Sequence, residues 1–425
     1  MKVPFSFKFI HSADLHLDSP FRIHEGREDG LRKLLMDASL RAFSELCDVA
    51  IDKNVDFIVL AGDVYDGIER GARAQLALRR QLLRLDAHGI AVYMAFGNHD
   101  PVDTTSEIAI TWPENLIRFP TDPETFPLTR DGLQFGEITG VSFGTREERR
   151  NLARLFPDSC SDLFSIAVLH ANVGGSQEHG NYAPAALADL LGKGYDYWAL
   201  GHIHKRSVLN ESPLVIYPGN IQGLHIKPSE RGLKGAELVE VSNNGIKHSF
   251  LPLAQVLFDL VTVDISGFQT LNAVVDGCVD ALRHKYHEIG EKPFIARVDL
   301  VGTVDDVLEG LSNNIEAVWQ ELVAEVSNMG LSVYIDQVDG HLINEKSLED
   351  LVGLSDVVGE LLRELGQWRQ DPDRLAKFVP ESELRNALVV RIKREGLGHT
   401  LITGESDLDA AEALLAELLA GGNKE

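Results

Sequence analysis

Five segments of this sequence place Asp, Asn or His directly after a short apolar run. The side chains that could hold a metal ion are Asp14, His16, Asp63, Asn98, His170, His202 and His204. This mixture of carboxylate, amide and imidazole suits first-row divalent metals such as Mn, Fe or Zn better than Ca. None of the five segments carries Ser or Cys in the setting of a nucleophile. The number of ligands therefore predicts a site for two metal ions.

Each of these signals is weak on its own. A lone His is usually a satisfied or exposed imidazole, and chance often produces the spacing of Asp14 and His16. The joint pattern favours the functional interpretation, because all five segments deliver ligands of one chemical class. Two ions about 3.5–4 Å apart need a bridging carboxylate. Asp63 is the candidate for this bridge because it lies between the two ligand groups in the sequence.

The apolar runs before these residues predict the elements that position them. Buried parallel strands are expected at residues 55–61, 89–96, 165–169 and 195–200, and an alternating strand is expected at 5–10. In open α/β sheets ligands bind outside the carboxyl ends of the strands, so these strand ends define one site. Helices are predicted at 31–53, 71–87 and 184–191, and residues 101–160 are predicted to be mostly loop with short strands.

The net charge of −25 is unevenly distributed along the chain. Residues 1–255 carry a net charge of −7, and residues 256–425 carry −18. This balance argues against a chain-wide basic surface for nucleic acid. Short basic clusters are nevertheless present, at Arg70, Arg73, Arg79, Arg80 and Arg84, at Arg146, Arg149, Arg150 and Arg154, and at Lys227, Arg231 and Lys234. Each cluster is interpreted either as a solvated face or as a local contact for phosphate.

Composition also bears on where the protein works. The chain is 44% hydrophobic and 25% charged, which is typical of a globular protein. No apolar run approaches the ~18–20 residues that span a bilayer, and the start of the chain does not resemble a signal peptide. Three widely spaced cysteines, Cys47, Cys160 and Cys278, predict no disulfide framework. We expect a cytoplasmic protein without a membrane partner.

The ligand segments resemble the signature of calcineurin-like metallophosphoesterases, in the same order, over about residues 5–255. More narrowly, residues 9–21 and 217–223 resemble SbcD/YhaO-type DNA repair nucleases, with the YhaO-like members nearest. One departure is Leu224, where YhaO-like chains carry an Arg. This departure puts a substrate contact in doubt and leaves the metal site untouched.

The resemblance implies an α/β sandwich, in which two packed sheets are flanked by helices. It also implies one metal held by Asp14, His16, Asp63 and His204, and another held by Asp63, Asn98, His170 and His202. His99 would stabilise or protonate the leaving oxygen, and Asp100 would orient His99. The implied activity is that of a DNA exonuclease in repair, with two divalent ions, Mn first and Fe, Zn or Mg as alternatives.

The same resemblance implies partners. SbcD-type nucleases act on DNA and work with an SMC-like ATPase of the SbcC/YhaN kind. They pair through helices near the start of the catalytic domain, here residues 31–53 and 71–87. Leu76, Leu82, Leu83 and Leu85 supply more apolar surface than one helix face needs. A homodimer that shares part of this surface, and helices that pack entirely on their own sheet, are both compatible with the sequence.

Residues 256–425 predict a separate organisation. Strand and helix patterns alternate as β-α-β-α-β up to residue 335, which resembles the small α/β capping domain of SbcD-like nucleases. Helices are then expected at 348–365, 381–395 and 408–419. The last helix either packs on its own domain or docks a partner. We therefore expect a catalytic domain at 1–255, a capping domain at 256–340 and a helical tail at 341–425.

Three classes of function fit the residues. The leading class is a metal-dependent DNA nuclease. The second is a small-molecule phosphodiesterase or phosphatase with the same dinuclear core, which the long segment after residue 255 disfavours. The third is a non-catalytic metal-binding scaffold, which is disfavoured because every expected ligand and His99 are present.

Overall fold

The computed structural model describes residues 6–19, 29–67, 71–102, 110–159, 162–175, 180–304 and 315–344, with the backbone alone at 29–33 and 343–344. The chain forms two compact units, residues 1–258 and 259–425. The helices predicted at 348–365, 381–395 and 408–419 lie outside the described residues. The division into three domains therefore stays a prediction.

The first unit alternates strands and helices in its first hundred residues and is mostly β-structure afterwards. Its strands are β1 (Phe7–Ser12), β2 (Phe57–Ala61), β3 (Ala91–Ala95), β4 (Leu116–Arg118), β5 (Glu124–Arg130), β6 (Leu133–Val141), β7 (Phe164–His170), β8 (Tyr197–Gly201), β9 (Ser207–Glu211), β10 (Leu214–Tyr217), β11 (Gly235–Ser242) and β12 (Gly245–Pro252). Its helices are α1 (Asp29–Asp52), α2 (Ala72–Asp86) and α3 (Leu187–Leu191), with 3₁₀ turns at Leu152–Leu155 and Pro228–Glu230.

These strands form two six-stranded sheets. The first has the order β12-β11-β1-β2-β3-β4, and the second has the order β5-β6-β7-β8-β10-β9. Strands β1, β2 and β3 run parallel to one another in the first sheet, where β1 is antiparallel to β11, and β7 and β8 run parallel in the second sheet. Strands β2, β3 and β8 carry no polar side chain other than the Tyr hydroxyls, because both faces of each strand are covered. The rings of Phe9, Phe57, Phe135, Phe164 and Tyr197 pack in one buried cluster between the sheets. The two sheets therefore form the predicted sandwich.

Helices cover the outer face of the first sheet. Phe43 and Leu46 of α1, and Leu78, Leu82 and Leu85 of α2, are buried against apolar residues of β1 to β3. Two leucines of α2 instead point outward, with Leu76 54% and Leu83 41% exposed. Thus only part of the apolar surface that suggested a dimer is available to a second chain.

The outer face of the second sheet is covered by shorter elements. Leu152 and Ala153 of the 3₁₀ turn and Leu190 of α3 pack with Trp198 and Leu200 of β8. The helix predicted at 184–191 begins only at Leu187. Two sheets flanked by helices confirm the predicted fold class.

The region predicted as mostly loop with short strands, 101–160, contains three strands, of which β6 is longer than the sequence suggested. It contains β4, β5 and β6, and β6 pairs in parallel with β7. Two glycines interrupt the alternation of β6, and both are needed for packing. A Cβ on Gly140 would overlap the ring of Phe119, and one on Gly136 would lie 2.8 Å from the Phe164 carbonyl oxygen. The missing side chains therefore concealed a buried strand.

The second unit has the predicted order of elements. Strand β13 (Leu257–Asp264), which starts at the boundary of the units, is followed by α4 (Leu271–Glu288), β14 (Phe294–Val304), α5 (Ile315–Asn328) and β15 (Val333–Asn344). The sheet order is β13-β14-β15, with β14 and β15 parallel. Thr270 caps α4 by accepting a hydrogen bond from the Ala273 amide.

Among the described helices of both units, none is long and apolar enough to cross a membrane.

Candidate metal centre

Seven predicted ligands lie at the carboxyl ends of parallel strands from both sheets. Asp14 and His16 follow β1, Asp63 follows β2, and Asn98 follows β3, all in the first sheet. His170 ends β7, and His202 and His204 follow β8, in the second sheet. Neighbouring loops are tied together, because the Asp14 amide donates to Gly62 O at 3.0 Å and the His16 amide to Asp63 O at 3.1 Å. The sandwich thus brings residues that are far apart in the sequence into one cluster.

One part of this cluster, the first half-site, consists of Asp14, His16 and His204. Their ligand atoms all lie within 4.8 Å of one another. The Nε2 atoms of the two imidazoles face each other at 3.1 Å. Their outer nitrogens meet carboxylates: His16 Nδ1 lies 3.1 Å from Asp66 Oδ1, and His204 Nδ1 donates to Glu230 Oε1 at 2.5 Å. The inner nitrogens are therefore the ones that offer lone pairs to a metal.

The other part, the second half-site, consists of Asp63, Asn98, His170 and His202. Asn98 Oδ1 lies 3.1 Å from both His170 Nε2 and His202 Nδ1. The opposite ring nitrogens donate to backbone carbonyls, His170 Nδ1 to Ala61 O at 2.9 Å and His202 Nε2 to Gly180 O at 2.8 Å. Two imidazole lone pairs and an amide oxygen thus converge, which is the arrangement a divalent cation needs.

Both carboxylates of the predicted ligand set are central. Asp63 Oδ2 lies 3.5 Å from His170 Nε2, and Asp63 Oδ1 accepts the His99 amide at 2.9 Å. Asp14 accepts the His202 amide on both oxygens at 3.1 Å. It also forms compact groups with both His204 and His170, so it lies between the two half-sites. The bridging role of Asp63 therefore stays a prediction, and Asp14 occupies an equally central position.

The backbone at the ligands adopts a conformation that side chains rarely favour. Asp14, His16, Asp63 and His202 have φ values of 50°, 42°, 51° and 102°. Such positions cost on the order of 1–3 kcal/mol each and cluster at functional sites. Four of the seven candidate ligands therefore carry backbone strain.

Glycines make room around His170. A Cβ on Gly62 would lie 2.7 Å from His170 Cγ, one on Gly97 would lie 2.7 Å from His170 Nε2, and one on Gly201 would lie 2.8 Å from His170 Nδ1. Each of these glycines directly precedes a predicted ligand. The glycines of the ligand segments are therefore required for the close approach of three loops to one imidazole.

The electrostatic field of the cluster favours a cation. Burial alone would lower the pKa of His16, but Asp66, Asp63 and Asp14 outweigh it and raise that pKa to about 9. Burial is likewise outweighed at His170, where Asp63 leads the groups that raise the pKa to about 9. The His170 imidazole in turn holds the pKa of Asp63 far below its usual range against the effect of burial. The donor set therefore fits positively charged ions.

The pKa of His11, a few residues before His16 in the sequence, is shifted in the opposite direction. Its ring is buried between the sheets, with Nδ1 2.9 Å from the Tyr197 hydroxyl and Nε2 3.1 Å from Leu200 O. Burial lowers the pKa of His11 to about 3. Because no carboxylate opposes burial there, His11 is a neutral core residue, and the raised pKa values are specific to the ligand cluster.

His99 lies beside the first half-site, and its side chain is 34% exposed. Its ring centroid is 4.8 Å from that of His16, and its Nδ1 is 3.5 Å from Asp66 Oδ1. Burial lowers the pKa of His99, while Asp63 opposes that shift. His99 thus lies next to a predicted ligand with part of its side chain accessible.

The carboxylate of Asp100 accepts hydrogen bonds from the backbone of neighbouring loops. Its Oδ1 accepts the Gly97 amide at 2.8 Å, and its Oδ2 accepts the amides of Val64 and Tyr65 at 2.8 and 3.1 Å. These bonds hold the loops after β2 and β3 together. The carboxylate beside His99 is that of Asp66, so the orientation of His99 by Asp100 stays a prediction.

Two acidic residues that contact predicted site residues escaped the sequence analysis. Asp66 contacts both His16 and His99 and accepts the Ser19 hydroxyl at 2.7 Å. Glu230 contacts His204, whose imidazole holds the pKa of this carboxyl well below its usual range against the effect of burial. Asp66 stood in the segment already selected for Asp63, whereas no local signal marked Glu230.

The basic clusters are largely engaged by neighbouring groups. Arg150 pairs with Glu148, Arg154 with Asp189, and Arg73 with Asp18 and Asp37. Lys234 is only 5% exposed, and its ammonium donates to His204 O at 2.7 Å. The prediction that Lys234 belongs to an exposed cluster with Lys227 and Arg231 is therefore wrong.

Comparison with known proteins agrees with this geometry. Residues 7–206 match the model of the calcineurin-like phosphoesterases, and the chain belongs to this family of metallophosphoesterases, which hydrolyse phosphoester bonds. It is 36% identical over 349 residues to the uncharacterised metallophosphoesterase YhaO of Bacillus subtilis, a match that covers 81% of this chain and 84% of that one. The resemblance that the motifs suggested is therefore confirmed.

Two further relatives carry names connected with nuclease action or DNA repair. The chain is 29% identical over 315 residues to the DNA double-strand break repair protein Mre11 of Sulfurisphaera tokodaii, covering 69% of this chain and 73% of that one. It is 24% identical over 247 residues to one subunit of the nuclease SbcCD of Bacillus subtilis, covering 50% of this chain and 61% of that one. Both relatives belong to the group that the sequence motifs indicated.

Proposed function

We propose that this protein is a Mn-dependent DNA nuclease that hydrolyses phosphodiester bonds at a two-metal site, as an exonuclease in DNA repair. The observation that carries the proposal is the convergence of ligand lone pairs from both sheets, with His99 beside them. The names of the Mre11 and SbcCD relatives support DNA as the substrate. A cytoplasmic location stays a prediction from the sequence.

The residues of the chain divide the chemistry between them. When bound, two divalent ions lower the pKa of water and offset the charge of a phosphate group. The seven candidate ligand residues would hold these ions, and the buried carboxylates Asp14 and Asp63 would provide the negative charge. His99 donates a hydrogen bond or a proton to the oxygen that leaves, and Asp66 keeps its ring in position.

Contacts to DNA are expected to be few. Exposed ion pairs such as Arg149–Glu147 contribute little and can exchange for phosphate, but such pairs leave no broad basic surface among the described residues. Lys205 follows the ligand His204 directly and is exposed, and Lys227 is exposed as well. We therefore expect weak, local binding, with a shallow dependence of log affinity on log salt, about −0.9 for each phosphate neutralised on duplex DNA.

Partner proteins would supply contacts to DNA beyond the few that this chain offers. The name of the SbcCD relative states that it is one subunit of a nuclease, which supports an SMC-like ATPase of the SbcC/YhaN kind as a partner here. The exposed leucines Leu76 and Leu83 on α2 support a homodimer. Both partners fit a nuclease that gains affinity for DNA through assembly.

The second candidate is a small-molecule phosphodiesterase or phosphatase with the same dinuclear core. The net charge of −25 and the paired arginines favour it, because a small substrate needs no basic surface. A non-catalytic scaffold is the third candidate, and the position of His99 beside the ligands disfavours it.

A panel of substrates separates these candidates. Purified protein with Mn would be incubated with single-stranded DNA, double-stranded DNA and a generic aryl phosphodiester. A nuclease degrades DNA as well as the aryl ester, whereas hydrolysis of the ester without any cleavage of DNA would favour the small-molecule enzyme. Lys205→Gln with Lys227→Gln is expected to weaken DNA binding while ester hydrolysis stays unchanged.

A further inference from the structure

We infer that Glu230 is a positioning residue of the metal centre, which fixes the ring of His204 so that its Nε2 faces the first half-site. This inference rests on the proposed two-metal function and deepens it. Glu230 ends the 3₁₀ turn Pro228–Glu230, 26 residues after His204, in a segment that no catalytic motif includes. Its side chain reaches the imidazole from outside the cluster of ligands.

Every described contact of the Glu230 carboxylate serves to hold it in place. The residue is 3% exposed. One oxygen accepts His204 Nδ1–H at 2.5 Å, and the other accepts Asn220 Nδ2 at 2.7 Å and the Leu224 amide at 3.0 Å. A buried carboxylate with three donors has one stable orientation. The position of Glu230 is therefore set before a metal binds.

The backbone of His204 is fixed by the same segment of chain. Its carbonyl oxygen accepts Lys234 Nζ at 2.7 Å and the Asn220 amide at 3.3 Å. A Cβ on Gly219 would lie 2.7 Å from that oxygen, so the segment approaches as closely as it can. Residues 219–234 thus hold both ends of His204, the carbonyl through Lys234 and the ring through Glu230.

The physical consequence concerns the proton on the imidazole. A neutral His carries one proton, and the nitrogen that bears it cannot bind a metal. Because Glu230 accepts a hydrogen bond from Nδ1–H and so keeps the proton on Nδ1, Nε2 keeps its lone pair and points toward His16 Nε2, 3.1 Å away. A carboxylate behind a metal-bound His also raises the basicity of that ligand, and its removal commonly costs ~10–100-fold in metal affinity.

The chain offers a matched control in Glu237. This glutamate is also buried, and it contacts the Arg206 guanidinium and His248 Nδ1, the latter at 3.1 Å. Its histidine is not a predicted metal ligand. Replacement of Glu237 by Gln removes a buried carboxylate from a histidine without touching the metal centre, which separates positioning from general packing.

The test measures Mn binding in the absence of substrate. Chelator-treated wild type, Glu230→Gln and Glu237→Gln are titrated with MnCl₂ in a calorimeter. We expect two bound Mn per wild-type chain, ~10–100-fold weaker binding of one of them in Glu230→Gln, and two unchanged affinities in Glu237→Gln. In hydrolysis of an aryl phosphodiester, the Mn concentration for half-maximal rate rises by the same factor, and saturating Mn restores the rate.

The remaining outcomes also decide the matter. Equal Mn affinities in wild type and Glu230→Gln overturn the inference and leave the two-metal function intact. Equal losses in Glu230→Gln and Glu237→Gln overturn it as well, because they indicate a general loss of packing. A wild type that binds fewer than two Mn overturns the proposed function and this inference together. If circular dichroism shows that Glu230→Gln is unfolded, Glu230→Asp, which keeps the charge but shortens the reach, is titrated instead under the same criteria.

Discussion

The two half-sites hold similar ligands but support them differently. In the first, the outer nitrogens of His16 and His204 meet the carboxylates of Asp66 and Glu230. In the second, the outer nitrogens of His170 and His202 donate to backbone carbonyls. The first half-site therefore depends on side chains that a substitution can remove, whereas the second depends on the course of the backbone.

The difference indicates how each half-site can fail. A supporting carboxylate adds negative charge and raises the basicity of the histidine ligand. Its loss is therefore expected to lower the affinity for one metal ion and to leave the fold in place. Backbone support cannot be deleted, but it relies on glycines that let three loops reach His170.

Replacement of Asp63 by Ala is expected to reduce Mn-dependent hydrolysis to background. The carboxylate is buried next to His170 and hydrogen-bonds the His99 amide, so its removal affects ligands and loop together. An aryl phosphodiester assay with added Mn measures the effect. Turnover near the wild-type rate would rule out the two-metal assignment.

Replacement of His99 by Ala is expected to leave both half-sites occupied while hydrolysis falls ~10²-fold or more, the usual cost of losing a general acid. Metal content by elemental analysis is measured together with the rate. Loss of one Mn per chain would show that His99 is itself a ligand, and it would remove the distinction between His99 and the two half-sites.

Replacement of Gly97 by Ala is expected to damage mainly the second half-site. The new Cβ would lie 2.7 Å from His170 Nε2 and closer still to Asp63 Oδ1, so both side chains must move. We expect ~10–100-fold weaker binding of one Mn, by analogy with the loss of an orienting group. Gly192→Ala is the control, because its nearest atom outside the glycine and its neighbours is 3.8 Å from the new Cβ. Equal titration curves for the two variants would contradict the proposed dependence on glycine.

Mn affinity is expected to rise with pH to about 9 in both half-sites. Each contains one imidazole, His16 or His170, whose pKa the surrounding carboxylates raise to about 9 in the metal-free chain. Below that pH a bound ion must displace the proton, so affinity increases about tenfold per pH unit and then levels off. Competition with a fluorescent Mn indicator measures the slope. A flat profile in one half-site would indicate that its imidazole is already neutral.

The candidate ligands could be selected from the sequence because each ends or follows a short, largely apolar strand. Burial of a parallel strand and a polar residue at its end are both local features, so Asn98 and His202 could be selected without knowledge of the fold. The supporting groups are different. Glu230 contacts His204 only because β11 pairs with β1 and brings the 219–234 segment beside the ligands, a relation that no local pattern encodes.

The wrong prediction of an exposed basic cluster that includes Lys234 also has a physical cause. Lys227, Arg231 and Lys234 have the spacing of an exposed helix face, but the helical turn there is only Pro228–Glu230. The backbone is extended at Arg231 and bends at Gly232, and Lys234 turns inward to the His204 carbonyl. In the same way, β6 was not singled out within the region predicted as mostly loop with short strands, because Gly136 and Gly140 lack the side chains that would have displayed its alternation.

Each half-site takes ligands from both sheets: Asp14 and His16 with His204, and Asn98 with His202. An ion bound there is therefore a cross-link between the two layers of the sandwich. Because only the folded chain presents these ligands together, an ion at 100 times its dissociation constant adds about 2.7 kcal/mol to the free energy of unfolding. The supply of metal in the cell would then determine the stability of the folded protein as well as its rate of hydrolysis.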